Sequence, residues 1–220
     1  MTAVRLTGAE GRRKVGAQIR QALRVGDLAP GQRLVEQDLA DDYGVTRSAV
    51  REALMDLAAD DLVELVPRRG ARVRVVSVAE AVQITECRAA LERLCARKAA
   101  VLASPAQREE LVQIGAQMRD AVAAGAVDTY SGLNRRLHEL VVQASGQEVA
   151  RRQLERLNGQ MVRYQFRLAL RPGRPAQSLP QHLAIIDGVV AGDPDAAEAA
   201  VAAHLDSVVE QLQAADPRPS

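Results

Sequence analysis

Gly44-Val45-Thr46-Arg47-Ser48-Ala49-Val50-Arg51-Glu52-Ala53-Leu54 is the stretch on which the fold of this chain turns. Tyr43-Gly44-Val45 breaks one short helical pattern, and Thr46 offers an N-cap hydroxyl to the next, predicted over 47–60. Val50, Ala53, Leu54 and Leu57 share one face of that helix and supply its buried side. Arg47 and Arg51, four residues apart, project together from another side. Upstream, residues 35–42 read as a short helix with Leu39 and Ala40 inward. Residues 12–25 read as a longer one through Val15, Ile19, Ala22 and Leu23. Gly26 stops that helix and Pro30-Gly31 marks a turn. Downstream, two β-branched runs, 62–66 and 71–76, flank Pro67-Arg68-Arg69-Gly70 and predict a hairpin. Helix, helix, turn, helix, hairpin is the order of a winged helix-turn-helix.

From Ser77 onward nearly everything is helical. Ser77 with Glu80 opens a helix to about residue 103, and Ser104-Pro105 opens a second to about 124. Further helices are predicted over about 128–144, 148–170, 178–191 and 194–214, with a loop over 171–175. The fold class is therefore mainly α. Residues 8–76 form a winged helix-turn-helix with a small hairpin wing, and 77–216 an all-helical bundle of about six helices. Composition agrees: hydrophobic residues make up 47%, but there is one Phe, three Tyr and no Trp, so the core is aliphatic. No apolar run is long enough for a membrane span, and the N-terminus lacks the apolar stretch of a signal peptide. Cys87 and Cys95, eight apart in one helix, read as packing residues in a reducing cytoplasm.

Charge does not by itself indicate a partner. Before residue 77 there are 13 Lys and Arg against 11 Asp and Glu, and afterwards 16 against 17. Placement is more informative. The first turn of the second helix of a helix-turn-helix enters the major groove, and here it carries Thr46, Arg47, Ser48 and Arg51. Arginine forks onto guanine edges or phosphate, while short hydroxyls suit phosphate. Arg68, Arg69 and Gly70 at the hairpin tip form a compact cationic wing for the minor groove or backbone.

Several fixed positions support a resemblance. Pro30-Gly31, Leu34, Glu36, Leu39-Ala40, the stretch from Gly44 to Leu54, Leu57, Pro67 and Gly70 together resemble the GntR family over about sixty residues. The resemblance implies that Arg47 and Arg51 make the principal base and phosphate contacts and that Gly70 lets the wing approach. It also implies a homodimer on a short palindrome of double-stranded DNA, with Arg33 as an additional phosphate contact.

The three histidines, His138, His182 and His204, all fall on helices of the second half, and Asn134 lies one turn before His138. Three helices could converge three imidazoles and an amide oxygen on a divalent metal, zinc first, with nickel, iron or manganese as other choices. The alternative is three unrelated histidines on helices whose faces turn apart. The second half resembles the FCD effector domain of the FadR branch of that family. The matching residues are Glu86, Arg88, Leu91-Glu92, Asn134, His138, Ser145-Gly146, His182, Gly192-Asp193 and His204. That resemblance implies a metal held by Asn134, His138, His182 and His204 at the base of a ligand cavity, with Asn where many relatives have Asp. It also places Arg88 near the cavity, where a guanidinium would clamp a small carboxylate. The other setting for Arg88 is an i,i+4 pair with Glu92 on a wet surface. Arg163 and Arg167 are further candidates to line the cavity.

The expected function is thus a cytoplasmic, DNA-binding transcriptional regulator, a repressor released by a small organic acid bound near the metal. In a second reading the metal is itself the signal. A third, a metal-dependent hydrolase, needs a general base beside the metal-bound water, and no His-Glu motif of that type is present.

Overall fold

The computed structural model describes residues 5–67, 69–169, 171 and 173–214, with side chains described except at 24, 25 and 162–169. The chain divides into two compact units between Ser77 and Val78, the segment Asn158–Arg163 grouping with the first.

In the first unit, α1 (Gly8–Val25), α2 (Glu36–Tyr43) and α3 (Arg47–Ala59) enclose an aliphatic core. Val15 and Ile19 of α1 meet Ala49, Val50, Ala53, Leu54 and Leu57 of α3, all of them essentially inaccessible to solvent. Gly44 ends α2 in the left-handed region (φ +64°), and Val45 is fully buried in the turn that follows. Leu6 straps this turn: its amide donates to the Gly44 carbonyl at 3.1 Å, and its carbonyl accepts from the Thr46 amide at 3.0 Å. The hairpin forms from β2 (Val63–Val66) and β3 (Gly70–Val73). A third strand that the sequence did not signal, β1 (Arg33–Leu34), pairs antiparallel with β3 on the other side, giving the order β1-β3-β2.

Among the described residues the second unit holds six helices: α4 (Val78–Leu102), α5 (Pro105–Ala123), α6 (Val127–Ala144), α7 (Glu148–Ala169), α8 (Arg174–Ala191) and α9 (Pro194–Gln213). Ser104 and Gln107 form a reciprocal capping box at the start of α5. Helix α8 begins at Arg174, inside the predicted loop, because Gly173 turns through φ +77° and Pro175 suits the first turn. Helices α8 and α9 run antiparallel at close range: a Cβ on Gly188 would stand 2.7 Å from the Ala197 backbone nitrogen. Further along the same pair, Gln181 meets His204, Arg174 meets Ser207 and Arg171 meets Gln211. Of the two cysteines, Cys95 packs with Ala150 and Leu154 as expected, whereas Cys87 is exposed.

Candidate functional site

The first turn of α3 carries the residues expected to read DNA. Thr46 caps it, its Oγ1 accepting from the Ala49 amide at 3.4 Å, with Ser48 Oγ 3.1 Å away. Arg47 and Arg51 are 59% and 61% exposed at the side chain, and both turn to one carboxylate, Glu36 at the start of α2. Arg51 donates to it through Nε at 3.0 Å and Nη2 at 2.8 Å, and Arg47 stands 3.7 Å away. The Arg51 hydrogen bonds hold Glu36 below the ordinary carboxylate range and raise Arg51 in turn. Glu36 was legible only as a position of the family resemblance. Its location in the first turn of α2, the helix preceding the recognition helix, makes it the partner of both arginines.

Around the wing, exposed Arg33 donates from Nε to the Arg69 carbonyl at 3.3 Å, tying β1 to the turn. Arg69 is exposed, while Arg68 lies outside the described residues. Gly70 adopts φ +84°, and a Cβ there would stand 2.4 Å from the Leu34 carbonyl oxygen. The three-stranded sheet therefore requires glycine at 70 for its own closure, a reason independent of any approach to DNA. Several other arginines of this unit pair within it: Arg12 with Asp56, Arg20 with Asp60 and Arg72 with Glu64. In each pair an acid of the same unit offsets the arginine locally.

In the second unit the three histidines converge. One ring nitrogen from each of His138 (α6), His182 (α8) and His204 (α9) lies within 4.8 Å of the others. Ring centroids are separated by 5.7, 5.3 and 4.4 Å. Each Nδ1 has a partner outside the trio. His138 Nδ1 lies 2.9 Å from Glu92 Oε2, His182 Nδ1 2.8 Å from Tyr130 Oη, and His204 Nδ1 3.2 Å from Gln181 Oε1. The direction of these bonds follows from their ends. A carboxylate and an amide oxygen only accept, so His138 and His204 donate from Nδ1. Ser178 donates to the Arg174 carbonyl at 3.0 Å. Tyr130 can then donate to Ser178 Oγ at 2.8 Å and accept from His182 Nδ1. His138 and His204 thus carry a proton on Nδ1, and the same tautomer of His182 satisfies its contact with Tyr130. His182 Nε2 and Asn134 Oδ1 are buried with no hydrogen-bond partner among the described residues. Burial drives the pKa of His182 and His204 well below the ordinary imidazole value, so both rings are neutral.

Arg88 is not on a wet surface. It and Glu92 are 7% and 4% exposed, joined at 2.8 Å. Burial pushes Glu92 up, but Arg88 and His138 outweigh it and hold the carboxyl at about 2. Arg88 thus reaches the histidines through Glu92. The spacing on α4 signalled this: 81, 84, 85, 88, 92, 95, 96, 99 and 100 form one buried stripe, and the ion pair falls within it. The side chains of Arg163 and Arg167 lie outside those described.

Together these features define a winged-helix DNA-binding protein joined to an all-helical domain with a buried, histidine-rich polar centre. The chain belongs to the gntR family of bacterial regulatory proteins, matched over residues 12–73, and carries an FCD domain over 83–207. It is 30% identical over 186 residues to the HTH-type transcriptional repressor RspR of Escherichia coli (strain K12), covering 84% of this chain and 82% of that one. It is 31% identical over 211 residues to an HTH-type transcriptional regulator in an unstable DNA locus of Streptomyces ambofaciens, covering 94% and 86%. In fold it resembles Escherichia coli McbR/YncC, at TM-score 0.79 and 21% identity over 93% of this chain and 97% of that one. A GntR-type regulator from Rhodococcus sp. RHA1 gives TM-score 0.73 at 22% identity, over 94% and 100%. The chain is a transcriptional regulator and not an enzyme. No helix among the described residues is long and apolar enough to cross a membrane.

Proposed function

We propose that this regulator is a cytoplasmic repressor that binds a short palindromic operator as a homodimer. A small organic acid held near a divalent metal releases it. Residues 8–76 read the DNA and 77–216 bind the effector and dimerise. Arg47 and Arg51 contact base edges and phosphates, with Thr46, Ser48, Arg33, Arg68 and Arg69 on the backbone and Gly70 shaping the wing. The repressor RspR among its relatives supports the sign.

One observation carries the metal reading: one ring nitrogen from each of the three histidines lies within 4.8 Å of the others, while every Nδ1 already has a partner outside the cluster. Bound there by His138, His182 and His204, with Asn134 as the oxygen donor, a zinc or similar ion supplies a Lewis-acidic position for an effector oxygen. Glu92, Tyr130 and Gln181 fix the tautomers, the arrangement that ordinarily supports metal-bound histidine. The effector acts through its differential affinity for the DNA-competent state.

Elemental analysis of the purified protein, combined with operator gel shifts under chelation and under titration with carboxylates, tests this. The expected result is about one equivalent of metal and release by an acid only when metal is present. Release by chelation alone would favour the reading in which the metal is the signal. Indifference of operator affinity to every acid tried removes the sensor reading. Arg47→Ala with Arg51→Ala tests the DNA reading: specific affinity falls by roughly 1–3 kcal/mol per arginine, with thermal unfolding unchanged.

A further inference from the structure

Among the described residues the second unit buries two arginines equally, each 7% exposed, but they face different partners. Arg88 is engaged by Glu92. The side chain of Arg174, the first residue of α8, makes one hydrogen bond among the described residues, from Nη1 to Ser207 Oγ at 3.3 Å, and pairs with no carboxylate among them. Asp206 and Glu210, the nearest acids along α9, are exposed. The ionisable groups acting on Arg174 are Tyr130 and a second arginine, Arg171, itself bonded to the backbone and side-chain oxygens of Gln211. Burial pulls the Arg174 pKa down, whereas Arg12, Arg51, Arg97 and Arg151 are raised by carboxylates that hold them. A desolvated guanidinium without a counter-charge is unfavourable and favours capture of an anion.

Its position relates it to the histidines. Ser207 is three residues beyond His204, about 4.5 Å along the axis of α9. Ser178 lies midway between Arg174 and His182 on α8, and its hydroxyl joins the Arg174 carbonyl to Tyr130, which holds His182. The Arg174 charge contributes to lowering both His182 and His204, so the guanidinium lies within electrostatic range of both rings.

We propose that Arg174, with Ser207 beside it, is a buried oxyanion subsite, and that it takes a carboxylate or phosphate group of the effector. Arg88 remains with Glu92 as a positioning residue. This rests on the reading above that the ligand enters the helical domain, but the subsite's own chemistry needs no metal.

The test uses the full chain stripped of metal by chelation, titrated calorimetrically with succinate and, separately, with inorganic phosphate. At least one anion binds, and the one that does identifies the group recognised. Arg174→Gln weakens that binding about tenfold to a hundredfold. Arg135→Gln, at an exposed arginine of α6, leaves it unchanged. Without anion, Arg174→Met melts at or above the wild-type temperature, because no internal ion pair is lost. Failure of both anions to bind, unchanged affinity in Arg174→Gln, or a clear loss of thermal stability in Arg174→Met would each overturn the proposal. Operator gel shifts under the same conditions keep the two readings apart. Arg174-dependent binding with constant operator affinity retains the subsite and removes the effector role.

Discussion

Two carboxylates organise the two candidate sites, and each does so by holding two nitrogen partners at once. Glu92 is the buried case, accepting from Arg88 at 2.8 Å and from His138 at 2.9 Å. Converting it to glutamine leaves the Arg88 charge buried and unmatched, which costs roughly 3–5 kcal/mol. It also presents an amide that no longer dictates the His138 tautomer. Glu92→Gln should therefore unfold at lower denaturant and bind zinc about ten- to a hundredfold more weakly. Arg88→Met/Glu92→Met should recover the stability, since no lone charge remains, without recovering the zinc affinity. If both quantities recover together, Glu92 does not orient the ring. Glu36 is the exposed counterpart, facing Arg47 and Arg51. Its negative charge opposes phosphate and restrains the arginines to one geometry. Glu36→Gln should raise affinity for random-sequence DNA and lower the ratio of operator to random binding, read by gel shift at fixed salt. An unchanged ratio would show that the pair does not persist when the arginines meet DNA.

Between residues and whole units, the α8/α9 pair decides whether the imidazoles meet. His182 and His204 stand on these two helices, which come into backbone contact range at Gly188. A Cβ at 188 would meet the Ala197 backbone nitrogen and Cα at 2.7 and 2.8 Å, and backbone has no rotamer through which to yield. Gly188→Ala should cost about 1–3 kcal/mol and weaken zinc binding by spreading the two rings, seen in denaturant melts and metal titration. Unaltered stability would mean that the helices separate freely. Much of this element level was legible in the sequence. The recognition helix, its Thr46 cap and the six-helix bundle follow from apolar periodicity and capping residues, whose signals are local. The strand β1 did not follow, because two residues carry no alternation and its pairing depends on Gly70 making room for Leu34. The convergence of the histidines was readable through the family resemblance and not through spacing, since helix rotation is set by packing. The polar residues supporting them nevertheless lie on simple i,i+4 ladders: Tyr130, Asn134, His138; Arg174, Ser178, His182; and Arg88, Glu92. Such a ladder beside a candidate ligand is a readable signal of a buried polar face.

At the scale of the whole molecule, the two units differ in how they respond to acid. Every polar or charged side chain that is buried among the described residues, from Thr85 to His204, belongs to the second unit. His182 and His204 are held neutral by burial in the folded state, while in the unfolded chain each takes up a proton below about 6.5. Their folded pKa values are depressed, so their contribution is fully present above that pH and is lost as pH falls below it. The slope reaches about 1.4 kcal/mol per pH unit for each ring. Glu92 adds a later step. Its stabilisation persists down to the ordinary carboxylate range and disappears as pH falls from there towards about 2. Metal-free protein, followed by hydrogen exchange or per-residue NMR melts between pH 7.5 and 5.5, should lose stability in the second unit while the first holds. Added zinc should stabilise the second unit further at pH 7.5, in proportion to the logarithm of free metal over Kd, and progressively less at pH 5.5 as protons compete for the same nitrogens. Equal losses in both units, or a second unit indifferent to pH without metal, would show that the imidazoles are not held neutral in the interior. The common basis for metal binding and effector response would then be gone.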